Sequence, residues 1–245
     1  MNRDTPATGI KVCILDNDNL DPAIAATYVS YGAMTEKMFA AAGTRWQFDR
    51  FNTTRNEYPD SFDGYAAVLL TGSRADSFSD LPWVRTLRER VSALLAQRKP
   101  LLGICFGHQL IAHCMGAEVG RAPQGWGMGR MTYDWCGPTP LRADAPATLA
   151  LLASHQDQVL ALPAGATLLA RSDFCPVAAY QVDDHVLCVQ PHPEFVSAYT
   201  AYLLETRRAL VGEHVHATGT ASLAQGHDGL DVARFMQAFV ERRPA

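Results

Sequence analysis

Residues 100–114 read PLLGICFGHQLIAHC and decide the fold of the chain. A short apolar run stops at a turn of small residues and helix-compatible spacing follows, so the stretch predicts a strand, a sharp turn and a helix. Cys105 lies at the tip of the predicted turn. Gly103 and Gly107 flank it at two positions' distance, which is typical of a nucleophile elbow whose strained backbone holds the nucleophile clear of the sheet.

Two interpretations of Cys105 follow from this setting. The predicted helix would direct unpaired N–H groups at the sulfur and favour the thiolate. A buried structural cysteine is the alternative, because free cysteine is among the most buried residue types. The glycines on both sides favour the reactive thiol.

The composition is that of an ordinary globular protein. Of 245 residues, 48% are apolar and 19% charged, and the formal net charge of −4 supplies no basic field for a nucleic acid. No apolar run approaches membrane-spanning length and residues 1–6 lack the order of a secretion signal, so we expect no membrane partner and a cytoplasmic location. The six cysteines form no C-x-x-C pair, which argues against a disulfide framework and a zinc knuckle.

Strand and helix patterns alternate before residue 100. Strands are predicted at 10–15, 46–51 and 66–70, and helices at 22–42 and 82–98. This alternation predicts an α/β fold with a doubly wound, mostly parallel sheet flanked by helices. The first and third strands lead into polar loops at the carboxyl edge of the sheet, where such folds bind ligands.

The pattern changes after the elbow helix. Residues 121–190 are rich in Gly and Pro, and their short apolar runs at 128–135, 166–170, 177–181 and 186–190 predict a smaller antiparallel meander. A helix at about 196–210, a loop at 211–228 and an amphipathic helix through Val232 and Val240 complete the prediction. We expect one domain over residues 1–245, with a core at about 10–205 and a C-terminal loop and helix in 206–245.

The second chemical motif is QPHPEF at residues 190–195. A cysteine hydrolase needs a base within reach of the sulfur and, usually, a carboxylate that orients the imidazole. Pro191 and Pro193 favour an extended backbone, in which His192 and Glu194 would project to the same side. An isolated histidine is more often a surface or satisfied core residue, but this setting favours a catalytic role.

A metal site is the alternative use of the remaining histidines. His214, His216 and His227 could suggest a ligand set, but histidines of a predicted loop are weak evidence for one. We therefore predict no metal, and nothing in the sequence calls for another cofactor.

Three motifs together resemble the class I (triad) glutamine amidotransferases. They are GICFGHQ at 103–109, SHQDQV at 154–159 and QPHPEF at 190–195, and the similarity extends over roughly residues 10–205. The resemblance implies a flavodoxin-like fold with Cys105 as the nucleophile, His192 as general base and acid, and Glu194 as the orienting carboxylate. The order Cys, His, Glu, with the last two separated by one residue, distinguishes this pattern from an α/β-hydrolase.

The resemblance also implies a reaction and a substrate site. The thiolate would attack the side-chain amide of glutamine or of a γ-glutamyl compound, and water would then cleave the γ-glutamyl thioester. One oxyanion donor would be the N–H of Phe106, and the other would come from the loop with Gly72 and Ser73. The α-amino and α-carboxyl groups of the substrate would bind near Gln109, Ser154, His155, Gln156 and Asp157.

Two positions depart from the common pattern of these amidotransferases and indicate which members the chain resembles most. Gly72-Ser73-Arg74 replaces the Gly-Gly-Pro or Gly-Pro-Gly turn of many amidotransferases, and Gln156 stands where Gly is common. This turn and the DLPW stretch at 80–83 look similar to free-standing γ-glutamyl peptidase-like and GMP-synthase-like members. We therefore expect a free-standing hydrolase or transferase. The alternatives are an ammonia-supplying glutaminase subunit with a separate synthase chain, and a binding module with a degenerate site.

Overall fold

The computed structural model describes residues 9–137 and 147–242. Its strands in chain order are β1 (Lys11–Asp16), β2 (Gln47–Asn52), β3 (Ala67–Leu70), β4 (Leu101–Ile104), β5 (Val119–Arg121), β6 (Gly127–Trp135), β7 (Thr148–His155), β8 (Asp157–Val159), β9 (Thr167–Arg171), β10 (Ala179–Val182) and β11 (Val186–Val189). Its α-helices are α1 (Pro22–Tyr28), α2 (Tyr31–Ala41), α3 (Pro82–Ala96), α4 (Phe106–Cys114), α5 (Ser197–Thr206), α6 (Arg208–Val211), α7 (Glu213–Ser222) and α8 (Gly229–Glu241).

One sheet contains nine of these strands in the order β2-β1-β3-β4-β11-β10-β9-β6-β7. The first five pair in parallel in the flavodoxin-like order, with β11 as the fifth strand. The last four add antiparallel pairs to the same sheet, so the predicted meander extends the main sheet. The run at 186–190, which was predicted as part of that meander, is instead β11 and pairs in parallel with β4. The predicted α/β class is confirmed. Strands β5 and β8 form a small second sheet.

Both faces of the parallel half are covered, as a doubly wound sheet requires. Along β1, Val12 and Ile14 enter a core with residues of α2 and α8, whereas Cys13 and Leu15 enter a core with residues of α3 and α4. All four side chains are fully buried. This burial on two faces explains why β1 reads as a continuous apolar run without polar alternation.

The predicted helix at 22–42 is two helices. Val29, at the end of α1, has φ 64°, a conformation that a β-branched residue rarely adopts and that breaks the helix. The Ser30 hydroxyl then accepts the N–H of Ala33 and caps α2. Gly43 ends α2 as predicted, at φ 91°.

The C-terminal part holds more helix than predicted. The predicted helix at 196–210 ends at Thr206 and is followed by the short α6, and most of the predicted loop at 211–228 is α7. Its sequence, EHVHATGTAS, contains several weak helix formers and gives little helical signal. Close packing compensates, because a Cβ on Gly219 would lie 2.7 Å from Leu204 Cδ2 and 3.2 Å from the Met128 carbonyl oxygen.

Strand β7 was not predicted. Seven of its eight residues are buried, so its apolar run shows no alternation that would distinguish strand from helix. The omission matters because β7 ends at Ser154 and His155, which open the SHQDQV motif of the predicted site. None of the described helices has the length and apolar character to span a membrane.

The carboxyl ends of β1, β3, β4 and β11 meet at one edge of the sheet. The loop after β1 is tied to the loop after β3, since the backbone N–H of Asn17 donates to Thr71 Oγ1 (2.9 Å) and its side-chain amide donates to the Thr71 carbonyl oxygen (3.0 Å). Cys105 follows β4 and Gln190 follows β11 at the same edge.

Candidate active site

The backbone of Cys105 is strained and held. The residue joins β4 to α4 at φ 52° and ψ −100°, a region that costs free energy for any residue with a Cβ. Its N–H donates to the Val189 carbonyl oxygen (2.9 Å), and its carbonyl oxygen accepts the N–H of Gln109 (3.0 Å). These bonds to β11 and α4 maintain the sharp turn that the sequence predicts.

Gly103 and Gly107 are needed because neighbouring atoms leave no room for a Cβ, not because their dihedral angles require glycine. A Cβ on Gly103 would lie 2.8 Å from Cys188 Sγ and 2.9 Å from the carbonyl carbon of Gly107. A Cβ on Gly107 would overlap the Leu70 carbonyl oxygen and lie 2.6 Å from Leu70 Cβ. The two glycines therefore let α4 approach β3 and β4 closely enough to bring its N-terminus to Cys105.

His192 and Glu194 form a buried pair. His192 Nδ1 lies 2.8 Å from Glu194 Oε1, and neither residue is more than 4% exposed. Their contact arises differently from the predicted extended segment. His192 makes one β-bridge to Leu152, after which the chain turns, and the N–H of Phe195 reaches back towards the His192 carbonyl oxygen (3.4 Å). The turn brings the carboxylate to the Nδ1 edge of the ring.

The His192 ring also has a stacking partner. The Phe195 ring lies parallel to it with centroids 3.8 Å apart, which fixes the ring plane. Burial lowers the pKa of His192, but the charges of Glu194 and Cys105 and hydrogen bonds to both outweigh it and raise the pKa to about 10. The imidazole is therefore held as the cation when the sulfur is a thiolate.

The predicted oxyanion residues border this pair. A Cβ on Gly72 would lie 2.7 Å from His192 Cε1 and 3.8 Å from Cys105 Cβ, so only glycine fits between the two side chains. Phe106 is the first residue of α4, where helix geometry leaves the N–H without an intrahelical partner. Ser73 lines the cleft above Cys105.

A glutamine that the sequence analysis gave no role touches the sulfur. The side-chain amide of Gln190, which is fully buried, donates to Cys105 Sγ (3.6 Å). Its Oε1 accepts from Gln109 Nε2 (3.1 Å), which also donates to the Asp157 carbonyl oxygen (2.8 Å). Gln190 opens the QPHPEF motif, so its position beside His192 was the available signal.

The cleft beside Cys105 also contains charged residues that were not predicted. Arg121 Nη1 lies 2.6 Å from Asp157 Oδ1, and its Nη2 lies 3.0 Å from Asp76 Oδ1. Burial raises the pKa of Asp157 to about 6, Arg121 opposes this shift, and Asp76 adds to it. Arg121 and Asp157 are cross-strand partners of β5 and β8. No local motif marks Arg121 or Asp76, because they meet Asp157 only in the folded chain.

The remaining predicted residues lie on the same wall. Cys105, Gln109, Ser154, His155, Gln156 and Asp157 all line the cleft. Arg207, which was not predicted, lines it too, donates to Ser154 Oγ and lies over the Trp126 ring at 5.4 Å. Burial and, to a smaller extent, the charge of His192 lower the pKa of His155 to about 3, so its ring is neutral near pH 7.

No metal centre accompanies the site in residues 9–137 and 147–242, where no three His, Cys, Asp or Glu side chains are grouped as ligands. His214 and His216 lie on α7, and His216 Nε2 contacts Glu205 Oε2 at 3.1 Å. His227 Nδ1 accepts the N–H of Gly229.

Comparison with known proteins agrees with the three motifs. The family model "Glutamine amidotransferase class-I" matches residues 24–206. The chain is 37% identical to "Gamma-glutamyl peptidase 3" of Arabidopsis thaliana over 177 residues, covering 69% of this chain and 70% of the relative. It is 33% identical to one subunit of "GMP synthase [glutamine-hydrolyzing]" from Methanocaldococcus jannaschii, over 62% of this chain and 75% of the relative.

A solved structure has the same fold. A crystal structure of a glutamine amidotransferase from Thermotoga maritima superposes with a TM-score of 0.75 at 19% identity, covering 96% of this chain and 99% of that chain. The chain belongs to the class I glutamine amidotransferase family. The resemblance inferred from the motifs is thereby confirmed.

Proposed function

We propose that this chain is a cysteine hydrolase that cleaves γ-glutamyl amide bonds, with Cys105 as nucleophile, His192 as general acid and base, and Glu194 as the carboxylate that orients His192. The observation that carries the proposal is the convergence of a strained Cys105 and a buried His192–Glu194 pair around Gly72. Family membership and the similarity to a relative named as a γ-glutamyl peptidase support it.

The reaction would proceed in two acyl transfers. The Cys105 thiolate adds to the γ-carbonyl carbon, the C–N bond breaks, and the departing nitrogen takes a proton from His192. A water molecule then gives a proton to His192 and attacks the γ-glutamyl thioester. The C–S bond breaks, which restores the thiolate and releases the γ-carboxyl group, whose remaining proton is lost to solvent.

Three backbone and side-chain groups would stabilise the charges of this reaction. The N–H of Phe106 and an N–H of the loop with Gly72 and Ser73 would donate to the oxyanion, each worth about 3 kcal/mol of barrier. The amide of Gln190, already directed at Cys105 Sγ, would stabilise the thiolate before its attack and again when the thioester is cleaved.

The glutamyl end of the substrate carries an ammonium and a carboxylate that need opposite partners. The carboxylates of Asp76 and Asp157 exceed the single charge of Arg121, so this side of the cleft suits the α-ammonium. Arg207, beside Ser154, suits the α-carboxylate. Gln109, His155 and Gln156, which the sequence predicted to bind the substrate, line the cleft together with these charged groups.

Release of ammonia or amine by the purified chain tests the proposal. Glutamine and a panel of γ-glutamyl amides and dipeptides would be supplied, and turnover by the wild type should disappear in Cys105→Ala. Cys114→Ala, at the far end of the helix that follows Cys105, is the matched control and should keep its activity. Equal turnover by Cys105→Ala would exclude the proposed nucleophile.

A second candidate is an ammonia-supplying glutaminase subunit of a two-chain synthase. The relative named as one subunit of a GMP synthase favours it. In that case the isolated chain would hydrolyse no compound of the panel, although Cys105 would still react rapidly with iodoacetamide. Size exclusion of the native protein distinguishes the two candidates, since only the subunit requires a stable complex with an unlike chain.

A further inference from the structure

A second cavity lies across Arg74 from the Cys105 cleft. It encloses about 170 Å³, and Arg74 lines both spaces. We name it the Tyr31 pocket. Its lining includes Asp18, Tyr31, Arg74, Tyr199, Tyr202 and Leu203. None of these residues belongs to the predicted site.

The Tyr31 pocket lies on the His192 side of the cleft. The Tyr31 ring is 6.2 Å from the His192 ring and stacks at 5.8 Å on Phe195, which itself stacks on His192. Gly72, two residues before Arg74, leaves room for the His192 ring, since a Cβ on it would lie 2.7 Å from His192 Cε1. Asp76, Asp157 and Arg121, which suit the glutamyl end, are not among the residues of this pocket.

This position matches the path of the leaving group. In the reaction proposed above, the departing nitrogen receives its proton from His192, so any substituent on that nitrogen must extend past the His192 ring. The γ-glutamyl half occupies the cleft beside Asp157. The substituent is therefore directed across Arg74 into the Tyr31 pocket.

The walls indicate the chemistry of the substituent. Three tyrosine rings and Leu203 provide an apolar lining, and burial raises the pKa of Tyr31 and Tyr199, so both remain neutral. The Arg74 side chain donates through Nε and Nη2 to the Asp18 carboxylate, and Nη2 also bonds to the Asn19 carbonyl oxygen. Asp21 lines the pocket too, and its Oδ1 accepts the N–H of Ala23. Because the carboxylates of Asp18 and Asp21 exceed the single charge of Arg74, the pocket suits a neutral apolar group and disfavours a further carboxylate.

We infer that the Tyr31 pocket is the leaving-group site and receives a neutral apolar or aromatic substituent of the departing nitrogen. The inference rests on the proposed function and names its substrate class. The preferred substrates are γ-glutamyl amides of apolar or aromatic amines, ahead of glutamine, whose ammonia leaves the Tyr31 pocket unused.

Steady-state kinetics of one variant with two substrates tests the inference. Tyr202 is half-buried on α5, outside the proposed catalytic machinery, and Tyr202→Ala removes one aromatic wall. We expect kcat/KM for γ-glutamyl-phenylalanine to fall about tenfold, whereas kcat/KM for glutamine stays unchanged and reports intact folding. Tyr202→Phe keeps the ring and should have the wild-type kcat/KM for γ-glutamyl-phenylalanine. Glu205→Ala, on the exposed side of the same helix, is the control.

A third substrate tests the charge preference of the pocket. γ-Glutamyl-phenethylamine keeps the aromatic ring but lacks the carboxylate, and the wild type should use this compound about tenfold better than γ-glutamyl-phenylalanine. The inference would be overturned if the wild type had equal kcat/KM values for γ-glutamyl-phenethylamine and γ-glutamyl-phenylalanine. It would also be overturned if Tyr202→Ala lost kcat/KM equally for γ-glutamyl-phenylalanine and for glutamine. Either result would leave the proposed function standing. Absence of hydrolysis of every γ-glutamyl compound by the wild type would overturn both.

Discussion

Two segments meet at Cys105 Sγ: the elbow at 103–107 and the histidine loop at 190–195. Different interactions determine the geometry of each. Around Cys105, backbone packing determines the geometry: Gly103 and Gly107 allow contacts that no side chain would permit. Around His192, side chains determine it, through the carboxylate of Glu194 and the stacked ring of Phe195. Substitutions at the elbow should therefore affect the stability of the fold, and substitutions in the loop should affect the chemistry.

Glu194→Gln is expected to have the largest effect on activity. The amide keeps the volume of the carboxylate but removes the charge that supports the imidazolium, so kcat/KM for glutamine should fall about a thousandfold. The Glu194 charge is a main cause of the raised pKa of His192. Its loss lowers that pKa, and the alkaline limb of the pH profile of kcat/KM should move to lower pH.

The unfolding midpoint of Glu194→Gln in urea completes the test. If the loop acts through chemistry, Glu194→Gln should lose far more activity than stability, with Glu205→Gln on α5 as the exposed control. An alkaline limb that stays in place would contradict the role of Glu194 in holding the His192 proton.

Gly107→Ala tests the elbow side of the comparison. The new Cβ would overlap the Leu70 carbonyl oxygen, a backbone atom that can move only with β3. We expect the free energy of unfolding to fall by about 3 kcal/mol, measured by urea denaturation. Gly64→Ala, where nothing lies within 4 Å of the new Cβ, is the matched control. Equal midpoints for the two variants would show that the close contact is not needed.

The same contrast explains what the sequence could predict. The elbow is local, so Gly103, Cys105 and Gly107 were recognisable from one stretch of seven residues. The doubly wound, mostly parallel sheet followed from the alternation of strand and helix. The place of β11 beside β4 did not, because its run was predicted as part of the meander. The pairing of His192 with Glu194 was also predicted, although its geometry depends on a turn rather than on an extended segment.

Contacts between distant segments gave no local signal. Arg121 meets Asp76 and Asp157 across 45 and 36 residues. Helix α7 forms because Gly219 fits against Leu204 and β6, not because its residues favour a helix. Such features depend on the register of β5 with β8 and on packing between helices, which single-sequence patterns do not contain.

Arg121→Gln extends the comparison to the cleft wall. The variant leaves two carboxylates close together without their cation, so the pKa of Asp157 rises further and its charged form is disfavoured. Because we assign the α-ammonium to these carboxylates, KM for glutamine should rise about thirtyfold with little change in kcat. Arg98→Gln is the control, since Arg98 also bridges two aspartates, Asp183 and Asp184, but at the surface. A loss confined to kcat would contradict the assignment.

The smallest expected effect is a pH dependence of substrate binding in the wild type. Burial raises the pKa of Asp157 to about 6, so the carboxylate is charged above that pH and neutral below it. One pH unit below the pKa only about a tenth of the molecules carry the charge, so KM for glutamine should rise up to about tenfold between pH 7 and pH 5. In Asp157→Asn, KM should already be high at pH 7 and should not vary in this way over the same range. A wild-type KM that is constant from pH 7 to pH 5, measured where kcat is still resolvable, would show that the Asp157 charge does not bind the ammonium.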